Sequence, residues 1–475
     1  MICKIFHRTV FFLAALACLQ LTSCGGGGGG DGEDENANGA DGEVRDSLLD
    51  FMYAHREYFE DRTFSGQIYS LLCGTDLPSS GRTYYISPDG TSSVPGVSSA
   101  NVFFQFSDAL ERMTAGDTLI VMDGTYDSIN DVNFEVRKTG NSSNYIKIKA
   151  MNRGKAIISG GWSENYNRTQ EDDYALMSIK GSYIMVDGLS FKDLRADGGT
   201  GISLENGSNH IVISNCEFEN IGTCELASDS NHATANAIIG YGDDEDKPIS
   251  SILVYNNTCR NMETGWGECI SLTENCKYVY VIGNNLDNTG NIGIDVGGNY
   301  VYELPEESRF TRYAYIAHNT VANESTEDTY GDTCYGIYAD GGQHIHIANN
   351  TVKNCMGGIE AGAEQVNPLY STADIWISGN KIIDCQEVYF ACGGWRRDLG
   401  LVDNVHFTEN TCTATRAAGS MINLAKCGNV EIKRNTFKSV GNFGITKVYR
   451  EYSGWNLTPA PNVNDVENEN TWIGF

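Results

Sequence analysis

The chain has 475 residues, with 53 Gly, 8 Pro, 62 acidic and 33 basic side chains, for a formal net charge of −29. A chain this acidic is expected to avoid nucleic acid and anionic membrane surfaces as partners. The length exceeds one ordinary globular domain, and the many glycines favour short strands joined by turns over long helices.

In chain order, residues 1–23 read as an export leader. Lys4, His7 and Arg8 precede the apolar run "VFFLAALACLQL", which is too short for a stable membrane anchor. The run ends in "LTSC", which resembles the lipobox of bacterial lipoproteins and implies Cys24 as the lipid anchor. The expectation is an exported protein held to the cell envelope, at the outer membrane or cell surface, touching membrane only through that lipid. Residues 24–43, "CGGGGGGDGEDENANGADGE", suit a flexible acidic tether. Residues 44–80 carry Leu48, Leu49, Met52 and Tyr53 at the spacing of a short amphipathic helix. That helix either packs on the cap of the following domain or serves as a spacer. Twelve cysteines remain beyond Cys24, and an exported chain permits disulfides among them.

From about residue 180 one pattern recurs: alternating apolar residues, a turn, Asn, one residue, and a further apolar residue. Copies include "LVYNNTC", "VYVIGNNL", "AYIAHNTV", "IHIANNTV", "IWISGNKI" and "VEIKRNTF". The turn position holds Cys216, Asn257, Asn284, Asn319, Asn350, Asn380, Asn410 and Asn435, at intervals of 41, 27, 35, 31, 30, 30 and 25 residues. Strand periodicity with variable insertions marks a solenoid. Each repeat is too small to bury its own apolar face, and stacking coils solves that. The Asn series is expected to be structural, adopting left-handed turns and bonding amide to amide between coils. A second strand follows each turn, as in "GECISLTE", "NIGIDVGG", "CYGIYADGG" and "MGGIEAGAE".

These strands and the opening segment "RTYYISPDG…VFFQFSDALERM…AGDTLIVMDGTY" resemble the right-handed parallel β-helix of the pectate-lyase-like superfamily. The resemblance implies an all-β solenoid over residues 81–455 with an N-terminal capping helix at 102–113, and a C-terminal tail over 456–475. It implies a polysaccharide partner and a lyase or glycoside hydrolase activity. The competing reading is a non-catalytic glycan-binding or adhesin-like solenoid. A monomer is expected.

The second-strand set carries the candidate chemistry. Aligned on the inward Ile270, Ile294, Ile337, Ile359 and Ile422, the next residue faces outward: Ser271, Asp295, Tyr338, Glu360, Phe390 and Asn423. Two residues on, the column reads Thr273, Gly297, Asp340, Gly362 and Cys392, a shallow glycine-lined groove open to solvent. Asp340 and Glu360 lie diagonally on adjacent coils, with α-carbons on the order of 8 Å apart, within range of a glycosidase carboxylate pair. They are the expected catalytic residues. Asp295, Asp340, Glu360 and Glu364 equally suit Ca²⁺, which lyases of the superfamily commonly bind. Tyr338, Trp395, Arg396 and Arg397 are the candidate substrate contacts, by stacking on a sugar or pairing with a uronate. No Lys falls in these aligned positions. His344 and His346 are expected at the surface. Cys355 and Cys385 occupy equivalent places on adjacent coils, as a disulfide or as two thiols.

Overall fold

The computed structural model describes residues 35–59, 61–162, 174–196, 198–224, 233–325, 334–364, 372–394, 400–450 and 464–475, with side chains from residue 42 onward. Cys24, Trp395, Arg396 and Arg397 lie outside the described residues.

Alternating apolar strands stack coil upon coil into three all-parallel sheets of 13, 12 and 11 strands, forming a right-handed β-helix. One continuous core runs the length of the solenoid, fed by inward columns such as Ile211, Ile252, Val279, Ala314, Ile345, Ile375 and Val405. The N-terminal opening is closed by helix α3 (Phe106–Arg112), whose Phe106, Ala109 and Leu110 are buried. Phe106 stacks on Phe134, with ring centroids 4.1 Å apart.

The Asn series forms an unbroken ladder. Each Oδ1 accepts the backbone N–H and the Nδ2 of the Asn one coil earlier, and each Nδ2 also donates to a strand carbonyl of that earlier coil. At Asn350 these four bonds are 2.9 Å from Asn319 N, 3.0 Å from Asn319 Nδ2, 2.9 Å to Ile316 O and 3.0 Å to Asn380 Oδ1. The ladder therefore satisfies a buried turn that water cannot reach. The left-handed conformation falls one residue earlier than expected, on Asn256, Gly283, His318, Asn349 and Gly379, with φ between 53° and 67°. The ladder Asn itself has no positive φ, and its amide bonds along the stack from coil to coil.

The ends differ from expectation in two places. Asn470 continues the ladder, accepting from Asn435 N at 2.8 Å. Thr471–Ile473 then adds a strand to the second sheet, with Trp472 stacked on Phe437 at 4.3 Å. Residues 470–473, expected in the tail, thus add to the solenoid. At the other end, helices α1 (Glu35–Ala54) and α2 (Arg62–Leu72) pack neither on the cap nor as a spacer. α1 also begins ahead of the expected boundary at residue 44. The two helices lie across the outer face of the first sheet, where a column of Met185, Val212, Leu253, Tyr280 and Tyr315 faces outward. Phe51 stacks on Tyr315 at 4.0 Å. Phe64, Ile68 and Leu72 share one helical face and are buried. Asp61 caps α2 through the amides of Thr63 and Phe64 and meets His210 Nε2 at 2.7 Å.

This covering explains His346. It faces outward from its strand, as read from the alternation, but sits buried under the helices among Phe51, His55, Tyr58 and Trp376. His344 stacks on Tyr313. Among the described cysteines no disulfide is formed, and Cys355 and Cys385 are buried thiols.

Candidate functional site

The third sheet carries the acidic residues. Its central strands are β1 (Ala235–Gly242), β2 (Glu268–Glu274), β3 (Ile292–Gly297), β4 (Tyr335–Asp340), β5 (Gly357–Gly362), β6 (Val388–Gly393) and β7 (Ser420–Leu424). Ile238, Ile270, Ile294, Ile337, Ile359, Phe390 and Ile422 are in register and point into the core. The adjacent outward column reads Ile239, Ser271, Asp295, Tyr338, Glu360, Ala391 and Asn423. Phe390 was expected in this outward column and is not there. "VYFACG" has no Ile, and the large ring of Phe390 takes the inward place, stacked on Phe407 at 4.1 Å. The same one-residue shift turns Cys392 inward and puts Gly393 beside Gly362.

Tyr338 pairs with Glu360, and Asp340 with Gly362, so Asp340 and Glu360 lie diagonally on adjacent coils. Asp295 pairs with Tyr338 on the other side. Asp295, Tyr338, Asp340 and Glu360 are only 2–4% exposed. They face away from the core, yet they do not face open solvent. A loop between β3 and the strand Arg312–Ala317 folds back over them, and its Tyr300 donates its hydroxyl to Asp340 Oδ2. Asp340 Oδ1 accepts the Glu364 amide at 3.0 Å. The Tyr335 hydroxyl donates to Glu360. Tyr338 reaches Glu364 Oε1 at 3.4 Å.

The glycine column does not floor an open trough. A Cβ on Gly362 would sit 2.4 Å from the Tyr338 hydroxyl and 2.9 Å from Glu360 Oε1. On Gly297 it would sit 2.0 Å from the Asp340 carbonyl. The glycines leave room for the polar side chains to lie flat across the neighbouring coil.

Two carboxylates beside this group escaped the sequence reading. Glu268 opens β2 and accepts from the Ser271 hydroxyl; burial foremost, then the Asp340 charge, pushes its carboxyl up to about 7 against that hydrogen bond. Asp295 is driven well above the usual carboxylate range by burial, then by Glu268, Asp340 and Glu364, opposed by the Asp340 amide. Its Oδ1 is buried without a hydrogen-bond partner. Glu274 ends β2, fully buried, its carboxyl pushed up to about 7 chiefly by burial. The signal in the sequence is the pair of acids framing "GECISLTE", which stand outside the columns of residues that follow the inward Ile270. Tyr300 lies in the long insertion "NYVYELPEESRF", which no repeat alignment reaches.

Calcium does not fit these residues as they stand. Both oxygens of Asp340 already accept protein donors. Among the described residues no three carboxylate, His or Cys groups converge closely enough to hold a metal ion. What the arrangement does is crowd four carboxylates onto one outward face: buried Asp340 and Glu360, served by hydrogen-bond donors, with half-buried Glu268 and buried Asp295, whose desolvation and like-charged neighbours favour the neutral acid.

The Chondroitinase B family matches residues 100–199 of this chain. The uncharacterized protein YwoF of Bacillus subtilis (strain 168) is 30% identical over 343 residues, which cover 70% of this chain and 68% of YwoF. Among solved structures, the GH136 lacto-N-biosidase from Eubacterium ramulus superposes with a TM-score of 0.51 at 11% identity, over 86% of this chain and 70% of its own. The alginate lyase from Paenibacillus sp. str. FPU-7 gives a TM-score of 0.44 at 15% identity, over 78% of this chain and 98% of its own. At 11% identity the likeness to the lacto-N-biosidase concerns the β-helix fold alone and nothing of the chemistry.

Proposed function

The chain belongs to the family of Bacillus subtilis YwoF, and from this β-helix member's own site we propose a polysaccharide-degrading enzyme acting by hydrolysis. The observation that carries the reading is the coexistence of proton-holding and acceptor carboxylates on one outward face. Asp340 and Glu360 accept hydrogen bonds and serve as base or nucleophile. Glu268, with its carboxyl near 7, serves as the proton donor to the departing sugar oxygen. Tyr338 lines the site between Asp295 and Glu360. Elimination, the lyase route, needs a base for a carbon-bound proton. The described phenols do not suit it: burial and neighbouring carboxylates push Tyr300, Tyr335 and Tyr338 up, so they stay protonated. Trp395, Arg396 and Arg397 follow β6 directly in sequence and remain the proposed substrate contacts.

The test is a panel of polysaccharides assayed for new reducing ends and for the ultraviolet absorbance of unsaturated uronates. Reducing ends without absorbance are expected. Asp340→Asn and Glu360→Gln should each lower the rate by about 10²–10⁴-fold with the fold intact. Absorbing products would establish a lyase, and binding without products would establish a glycan-binding solenoid. Full activity in both variants would remove this site. Export and lipidation at Cys24 belong to the same proposal, and Cys24→Ser should move the protein from the membrane fraction to the soluble one.

A further inference from the structure

The loop over the acidic face is held at its base. It leaves β3 at Gly298, whose φ of 148° and close approach to the Arg309 carbonyl (a Cβ would lie 2.4 Å away) admit no side chain. Gly298 bridges to Phe310, and its amide donates to the Asp340 carbonyl at 2.7 Å. Across the loop, the Arg309 guanidinium donates to the carbonyls of Leu304 and Tyr302. The loop is thus tied to itself, and Tyr300 makes two side contacts with its surroundings. Its hydroxyl goes to Asp340, and its backbone N–H goes to Glu274 Oε1 at 2.7 Å.

Glu274 is 0% exposed, adopts a left-handed backbone with φ 60°, and leaves Oε2 buried without a hydrogen-bond partner. A fully buried acid in a strained conformation at the end of a strand is costly to the fold. Nothing in the solenoid's stacking requires it, since the equivalent positions on neighbouring coils need no carboxylate. We propose that Glu274 is the positioning residue of the acidic site: it fixes the Tyr300 backbone, so that the Tyr300 hydroxyl fixes the direction of the Asp340 carboxylate. The inference rests on the reading of Asp340 as a reacting group.

The groups facing Glu274 set its response to pH. Asp340 lies across the loop, Tyr300 above, Tyr241 on the preceding coil, and Cys276 two residues on, with Arg312 beyond it bonded to Asn275. Burial and Asp340 raise the carboxyl to about 7, and the amides of Tyr300, Val301 and Asn299 oppose them. An acid raised in the closed loop holds its proton there. Closure is therefore strongest at acid pH and weakens as pH rises from 4.5 to about 7.

Hydrogen exchange of the full chain, read on peptides spanning residues 298–311 and corrected for intrinsic rates, tests this without any substrate. Loop opening in the wild type should increase at least about tenfold from pH 5 to pH 8. Glu274→Gln, which keeps an acceptor but cannot ionise, should make opening independent of pH. Glu274→Ala should leave the loop open at both pH values; if that variant fails to fold, Glu274→Gln alone decides. On any glycan the wild type cleaves, Glu274→Ala should lower kcat with KM held within about threefold, as expected for lost positioning. Wild-type exchange that ignores pH, or Glu274→Ala exchange equal to wild type, overturns the proposal. Failure of the glycan panel with the exchange result intact would instead remove the enzymatic reading and leave the loop contact standing.

Discussion

Replacing Asn350 by Ala removes four hydrogen bonds from the middle of the ladder. Two of the former partners keep others: Asn319 Nδ2 still donates to Val281 O at 2.9 Å, and Asn380 Oδ1 still accepts from residue 350 N at 2.8 Å. A third, the Ile316 carbonyl, keeps the ladder bond that the Ala317–Ala348 pairing gives it. One is stranded, the Asn319 N–H, in an interior where Asn350 and Asn319 are 0% and 1% exposed. A stranded buried group costs roughly 1–3 kcal/mol, so the expected loss is about 1–3 kcal/mol. Asn470→Ala is the internal control. It breaks comparable bonds, to Asn435, Ile432 and Val466, but at a partly exposed end where water can substitute. Its cost should stay below about 1 kcal/mol. Urea denaturation followed by circular dichroism gives the comparison, with hydrogen exchange of the Asn319 amide as a local readout, because stacked repeats need not unfold in one step. Equal losses for the two variants, or a loss under about 1 kcal/mol at Asn350, would refute the claim that the ladder's value lies in its dry satisfaction of turn amides.

Three further outcomes follow from the same geometry. Glu268 holds its proton up to about pH 7, so glycan cleavage should fall as pH rises through that value, and Glu268→Gln should abolish the proton donor and with it this limb of the pH–rate profile. His346 is buried neutral under α1, its imidazole pushed down from 6.5 to about 3 by burial, then by His55 and His406. The packing of the N-terminal helices is therefore at full strength above pH 6.5 and weakens as pH falls towards 3; Trp376 fluorescence should report this, and His346→Phe should remove the pH dependence. Gly362→Ala forces a methyl against the Tyr338 hydroxyl and Glu360 Oε1, both movable side-chain ends. It should cost no more than about 1–3 kcal/mol in stability and reduce activity by displacing Glu360, measured by melting and by reducing-sugar release.

The solenoid was legible because its information is local and repeated. Period-two alternation assigns an inward and an outward side to each strand, and the recurring Asn marks where each coil turns. Inward Ile270, Ile294, Ile337 and Ile359 could therefore be aligned from residue order alone, and with them the diagonal of Asp340 and Glu360. That alignment slipped only where the marker changed, at β6, because Phe390 fills an Ile position that only core volume identifies.

What faces an outward residue is another matter. Alternation says that Asp295, Glu360 and His346 point away from the core, and it is silent on what lies over them. The cover comes from chain distant in order: Phe51 and His55 of the N-terminal region over His346, and the insertion bearing Tyr300 over Asp340. Burial, and hence which carboxyl keeps its proton, depends on that cover, since desolvation and neighbouring charge act through space and not along the chain. The amino-acid order determined the coil, its register and its ladder; folding in three dimensions decided which of its acids are dry.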